Sequence, residues 1–359
     1  MSPSSFPDHT TIKHRVNKAL TLFFDERTHE AQTIHASYAQ LWETAATLVA
    51  AGGKRFRPYM TLLSYWMYLP DAKLKAIMPA ALAQELVHSA LLMHDDIIDR
   101  DLVRYGVPNV AGHYKEHRYR AHLTDEAERH HFASSAALLA GDVFVSEAYQ
   151  LLQRVDASPK RIAQATAILA TGIFEVIGGE LLDGEVAFMP EGFISAETVA
   201  RYKTASYSFI SPLSMGAVLA GAPPSDVKAL TTLAEHIGIG YQLRDDLLGI
   251  FGDEETTGKS TTGDIREGKR TYLIEQFDAL ATPEQKETFY AIFHHPEATA
   301  AEIKKAKHLL EKSGAVEAVE TAIEAREWEA LQRLHDLHIS ADAHHELKQF
   351  IRRCLTRNY

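Results

Sequence analysis

From Ile12 to Leu355 the apolar residues of this chain recur at three- and four-residue spacing, and the every-second-residue alternation of a half-buried strand is scarce. A chain patterned in this way buries its apolar surface helix against helix, so the expected fold class is all-α. The spacing predicts helices over Ile12–Phe24, Ala36–Ala51, Pro58–Tyr68, Asp71–Asp99, His131–Gln153, Pro159–Glu185, Ala196–Ala220, Pro224–Phe251 and Tyr272–Leu280, with shorter ones between Pro283 and Leu355. Glycine and proline mark the joints at Gly52-Gly53, Gly106 to Gly112, Met189-Pro190-Glu191-Gly192, Pro223-Pro224 and Gly252 to Gly268. The charged, histidine-rich segment Tyr114 to His131 is expected as a loop inserted between helices. No low-complexity tract or sharp compositional break divides the 359 residues, 46% of them hydrophobic, so one large helical bundle over 1–359 is expected.

Charge narrows the function. Lys and Arg total 37 against 48 Asp and Glu, a formal net charge of −11, which argues against nucleic acid as the partner. Cys354 is the sole cysteine, so no internal disulfide forms and a reducing, cytoplasmic setting is expected. Met1 to Thr11 is polar without the apolar stretch of a signal peptide, and no uninterrupted apolar run approaches the ~18 residues of a membrane span, so none is expected.

Two acidic clusters break this pattern where it is most apolar. His94-Asp95-Asp96-Ile97-Ile98-Asp99-Arg100-Asp101 follows the run Leu86 to Met93, and Arg244-Asp245-Asp246-Leu247-Leu248-Gly249 follows Ile237 to Leu243. On a helix, residues four apart lie within about 40° of one another, so Asp95 and Asp99 share a face and repel unless a cation sits between them. Hard oxygen ligands suit Mg²⁺, which completes its shell with substrate phosphates. Two such ledges facing a central cavity would hold a diphosphate through a polynuclear Mg²⁺ site.

Basic residues gather elsewhere. Gly52-Gly53-Lys54-Arg55-Phe56-Arg57-Pro58 puts three cations just before a helix start, against the helix dipole, an arrangement that favours a bound phosphate. Lys203-Thr204 adds an ammonium and a hydroxyl, and Thr256-Thr257-Gly258-Lys259 followed by Asp264 to Arg270 adds two lysines beyond the second ledge. His113, His117, His122, His130 and His131 fit no compact zinc spacing, and Trp42, Trp66 and Trp328 are expected in the core or a subunit interface.

In order and spacing these segments resemble the trans-isoprenyl diphosphate synthase (polyprenyl synthetase) family. The resemblance rests on Gly-Gly-Lys-Arg-x-Arg-Pro, His88 seven residues before Asp95, Asp-Asp-x-x-Asp with Arg104 beyond it, Lys203-Thr204, Gln242-x-x-Asp-Asp, and Gly-Lys…Asp…Gly-Lys-Arg-Thr, from Gly52 to Thr271. It implies an all-α isoprenoid synthase fold around a central active-site cavity, a homodimer, and condensation of isopentenyl diphosphate with an allylic diphosphate. Asp95 and Asp99 would hold two Mg²⁺ ions and Asp245 a third, supported by Asp96 and Asp246. With those ions, Arg104, Lys203 and Lys259 would hold the allylic diphosphate, and Lys54, Arg57 and His88 that of isopentenyl diphosphate. Lys269 would close over the site, Gln242 and Thr204 would line the reacting centre, and Asp183 would lie near the allylic chain.

Three positions depart from the family pattern. Tyr105 stands where Arg-Arg-Gly is usual, Gly249 where many members carry a third aspartate, and Glu180 where glutamine is usual. Ala90 and Leu91, five and four positions before the first ledge, are where aromatic side chains stop chain growth early in the family. Neither is aromatic, so a trans-polyprenyl product of geranylgeranyl length or longer is expected. A class I terpene cyclase or a non-catalytic subunit of a heteromeric synthase are the alternatives. The first would have no use for the Lys54–Arg57 anchor, and the second would typically lose an acidic ledge.

Overall fold

The structure, a computed structural model, describes residues 5–356 apart from 119, 187–188, 190–191 and 253–260. Helix dominates the described residues. The strands among them are β1 (Val103–Arg104) and β2 (Val107–Pro108), an antiparallel pair. The chain gathers into two compact units, Met1–Ile168 with Met215–Gly221, and Leu169–Ser214 with Ala222–Tyr359.

In the first unit α1 (His9–Ile34) and α2 (Ala36–Ala51) pack together across a one-residue joint. His35 makes that joint with an extended backbone: its N–H donates to the Ala31 carbonyl, and its Nδ1 accepts from the Ser37 N–H at 3.0 Å. α3 (Phe56–Tyr68) and α4 (Met78–Ile98) follow, the latter entered through a tight turn at Leu74–Ile77. After the short α5 (Val110–His113), α6 (Glu126–Leu152) packs along α4, where Gly141 leaves room for the His94 ring. Trp42 stacks on Phe144 at 5.5 Å and Phe24 closes the cluster, so Trp42 lies in the core, as does Trp66.

The expected loop over 114–131 is shorter than its composition implied. Asp125 caps α6 by accepting from the Glu128 N–H at 3.0 Å, and Glu126 and Glu128 sit favourably in the first turn. That turn is solvated, so it carries no apolar repeat by which a helix start is read.

The second unit is built around α10 (Pro224–Phe251), which packs on the helix Ala315–Leu334 and on a wide, π-helical stretch, Ala200–Ile210. That stretch divides the single helix expected over Ala196–Ala220 into α8 (Ala196–Val199), the wide turns and α9 (Ser211–Ala220). Its i→i+5 bonding shifts faces by one residue, which an apolar repeat does not reveal. Arg244 fastens α10: both Nη atoms donate to Glu320 at 2.6 Å, and Nε donates to the Leu355 carbonyl at 3.1 Å. The C-terminal helices start on reciprocal caps at Thr282/Gln285 and Thr299/Glu302. Trp328 is 59% exposed, so of its two expected places, the core or a subunit interface, it does not take the core.

Two helices, Leu74–Ile98 and Pro159–Val186 (α7), are long and apolar enough to cross a membrane by length and composition, although no uninterrupted apolar run marked them. The apolar window of the first is 67% buried inside the protein and that of the second 28%.

Candidate active site

The first ledge is the end of α4. Asp99 caps the helix, Arg100 takes the left-handed position at φ 61°, and the Asp101 N–H returns to the Asp96 carbonyl at 2.8 Å. This is a Schellman ending with arginine where glycine is usual. Asp95, Asp96 and Asp99 therefore crowd the negative end of the helix dipole, where carboxylates are disfavoured until a cation compensates them. Arg104, at the end of β1, supplies part of that charge: its Nε donates to Asp96 Oδ1 at 2.7 Å and its Nη2 to Asp95 Oδ2 at 3.2 Å. Asp96 is 2% exposed, and burial pushes its carboxyl up to about 6 despite the bonds from Arg104 and Asn109.

Beside α4, the basic segment sorts its three cations. Gly53 (φ 101°) and Arg55 (φ 56°) both take left-handed backbone. Arg55 is buried and fully engaged: Nε donates to Asn17 Oδ1 at 2.8 Å, Nη1 to Glu85 Oε1 at 2.5 Å and Nη2 to the Val49 carbonyl at 2.5 Å. It is the structural cation of the three. Lys54 is exposed, with its Nζ 5.9 Å from the centre of the Phe56 ring, and Arg57 is half-buried in the first turn of α3. His88 lies in α4; burial, then the charges of Arg57, Arg55 and Arg104, hold its imidazole well below the ordinary range, so it is neutral at pH 7. Those three charges place the anchor, His88 and the first ledge in one electrostatic neighbourhood.

The second unit carries the second ledge near the C-terminal end of α10, again against the dipole. Thr204 Oγ1 donates to Gln242 Oε1 at 2.6 Å, and Gln242 Nε2 donates to Asp246 Oδ1 at 2.7 Å. Burial, with Asp245, Asp264 and Asp183 adding to it, pushes the Asp246 carboxyl up to about 8, so it is largely protonated near pH 7. Lys203 Nζ donates to Glu180 Oε1 at 3.1 Å and to Asp183 Oδ2 at 2.5 Å, both on α7. A side chain at Gly179 would meet the Tyr202 carbonyl carbon at 2.5 Å and Lys203 Cα at 2.7 Å, so glycine there lets α7 touch the wide stretch backbone to backbone. Asp245 lies one residue before Asp246 on α10, and Lys259 lies outside the described residues.

Two further carboxylates find their place near the second ledge and Lys203 only in the tertiary structure. Asp264, part of the Gly-Lys…Asp…Gly-Lys-Arg-Thr segment, has its Oδ2 in the space beside Gly249 where a third ledge side chain would start. Its Oδ1 lies 3.4 Å from Lys269 Nζ; burial lowers that ammonium's basicity, but Asp264 and Glu267 outweigh it and hold the pKa above the ordinary lysine range. Glu180 stood out only as a departure, and its contact with Lys203 gives it a place. Ala90 is fully buried and lies about 140° around α4 from Asp95, whereas Leu91 is only about 40° away and part-exposed.

Both ledges fit Mg²⁺. Each is a set of hard oxygen donors at a helix end of the same sign.

The polyprenyl synthetase family matches residues 39–310. The chain is similar to geranylgeranyl diphosphate synthase of Methanosarcina mazei, 32% identical over 280 residues that cover 78% of each chain. It is also similar to geranylfarnesyl diphosphate synthase of Aeropyrum pernix, 30% identical over 76% of this chain and 80% of that one. Among solved structures it resembles geranylgeranyl pyrophosphate synthase from Corynebacterium glutamicum, complexed with isoprenyl diphosphate and magnesium. The TM-score is 0.89 at 32% identity, covering 98% of this chain and 100% of that one.

Proposed function

The chain belongs to the polyprenyl synthetase family, and from that premise we propose that it is a Mg²⁺-dependent prenyltransferase that extends an allylic diphosphate with isopentenyl diphosphate. The product is a trans-polyprenyl diphosphate of geranylgeranyl length or longer. The observation that carries this reading is the pairing, within one unit, of a cation-seeking ledge with a separate anion-seeking anchor, joined electrostatically through His88. Two diphosphates call for two anchors, whereas a cyclase has one diphosphate to hold.

Asp95, Asp99 and Asp245 would hold three Mg²⁺ ions. When bound, these neutralise the allylic diphosphate and stabilise the charge that builds on its leaving oxygen. Arg104 orients Asp95 and Asp96, and Lys203, Lys259 and Lys269 hold the diphosphate. The allylic C–O bond breaks, its electrons leave with the diphosphate, and Gln242 and Thr204 set the polar edge of the reacting centre. Lys54 and Arg57 hold isopentenyl diphosphate so that its π electrons form the new C–C bond. Neutral His88 offers hydrogen bonding there without adding charge. The proton lost from the isopentenyl unit passes to the departing diphosphate, so no protein base is needed.

A second copy of the chain completes the assembly in this reading. Phe174, Ile177 and Leu181 of α7 are 81%, 57% and 64% exposed, an apolar face that pairing would cover. Its partners are then the two diphosphates and its twin, with neither nucleic acid nor a membrane span, and its setting is the cytoplasm, where buried Cys354 stays a thiol.

Incubating the purified chain with labelled isopentenyl diphosphate and dimethylallyl, geranyl or farnesyl diphosphate, then sizing the products, tests the reading. Mg²⁺-dependent extension is expected; failure to extend any primer would overturn it.

A further inference from the structure

Gly179 brings α7 against the wide stretch Ala200–Ile210 so closely that any side chain there would run into the Tyr202 and Lys203 backbone. Glu180 is the next residue along α7, and this close approach delivers its carboxylate to the side of Lys203. Asp183 stands three residues further on, on the same face of the helix. Lys203 Nζ donates to Glu180 Oε1 at 3.1 Å and to Asp183 Oδ2 at 2.5 Å. One ammonium is thus shared by two carboxylates within one compact unit, and the three groups together are net negative.

The same stretch leads directly to the second ledge. Thr204, next to Lys203, starts the hydrogen-bond chain through Gln242 to Asp246. A diphosphate held on that ledge would therefore compete with Glu180 and Asp183 for one ammonium. Of the two acids Glu180 is the better shielded from solvent, its side chain 25% exposed against 45% for Asp183. Its pull on Lys203 is the less screened by water and salt.

We propose that Glu180 is a positioning residue that acts through Lys203. It draws the ammonium towards α7, weakens the grip on the allylic diphosphate, and so eases departure of inorganic diphosphate after each condensation. This rests on the prenyltransferase reading, in which Lys203 holds that diphosphate, and deepens it. A contact that grips the diphosphate equally before and after ionisation tightens binding without speeding the bond-breaking step. A chain lengthened over successive rounds has to let diphosphate go in every one, and product release can then set the rate.

The test is the Kd of inorganic diphosphate in the presence of Mg²⁺, measured by calorimetry, together with the KM for each substrate. Glu180→Gln keeps the shape of the side chain and an oxygen that can accept from Lys203, and removes only the charge. It is expected to lower the Kd and the KM for the allylic diphosphate about fivefold, with the KM for isopentenyl diphosphate in place. Glu180→Ala is expected to act in the same direction, with thermal melting as a check on folding. In a Lys203→Ala background Glu180→Gln is expected to change nothing, because its effect travels through the ammonium. Loss of a merely structural contact would not tighten binding. Unchanged or weaker diphosphate binding in both Glu180 variants, or equal tightening without Lys203, overturns the role of Glu180 while the prenyltransferase reading stands. A wild-type chain that extends no primer overturns both.

Discussion

At the scale of single residues, the proposed chemistry rests on carboxylates crowded at the negative end of a helix dipole. If Asp95 and Asp245 are the metal ligands proposed above, Asp95→Ala and Asp245→Ala are each expected to lower kcat roughly a thousandfold or more. Their far-UV circular dichroism should match the wild type, and near-normal turnover at saturating Mg²⁺ would refute the ligand roles. Asp246 adds a pH dependence whose sign follows from its shift. Its carboxyl rises from 3.8 to about 8 on folding, so between these values the folded chain keeps a proton that the unfolded chain has lost. Stability of the metal-free protein therefore falls as pH climbs through that window and levels off above it. Melting temperatures at about pH 5 and about pH 9 should differ less with Mg²⁺ present, and less again in Asp246→Asn. An equal slope in Asp246→Asn would place the titration elsewhere.

At the scale of elements, close approach matters more than propensity. Gly179→Ala would push α7 off the wide stretch that carries Lys203 and Thr204, through contacts of 2.5 and 2.7 Å with backbone atoms. A loss of kcat larger than the fall in melting temperature would support this; an active, normally stable variant would not. α4 makes a similar argument about product length. Ala90→Phe introduces a ring at a fully buried position beneath the first ledge and is expected to give shorter products and a lower melting temperature. Leu91→Phe, on the same face as Asp95, should shorten products at little cost in stability. Unchanged product length in both variants would mean that the chain grows along another wall.

For the molecule as a whole, the exposed apolar face of α7 is the surface that pairing would cover in the proposed reading. Phe174→Glu places a charge on its most exposed apolar residue, 81% accessible, and is expected to convert a dimer into monomers in light scattering. A wild-type monomer, or a dimer unaffected by Phe174→Glu, would remove that face as the interface.

The sequence alone determined the features governed by neighbours along the chain. Ala36–Ala51 and Pro224–Phe251 are helices with the bounds their apolar repeats predicted, and both ledges lie near helix ends, just beyond the apolar runs that precede them. The tertiary structure alone decided which of several like residues does which task. Lys54, Arg55 and Arg57 look equivalent in sequence, and burial against Asn17, Glu85 and the Val49 carbonyl singles out Arg55 as the structural one. Gly249 looks like a lost ligand until Asp264 is found in its space, and Glu180 looks like a stray charge until it is found on Lys203. These assignments depend on distance and desolvation between residues far apart in the chain, and a one-dimensional pattern carries neither.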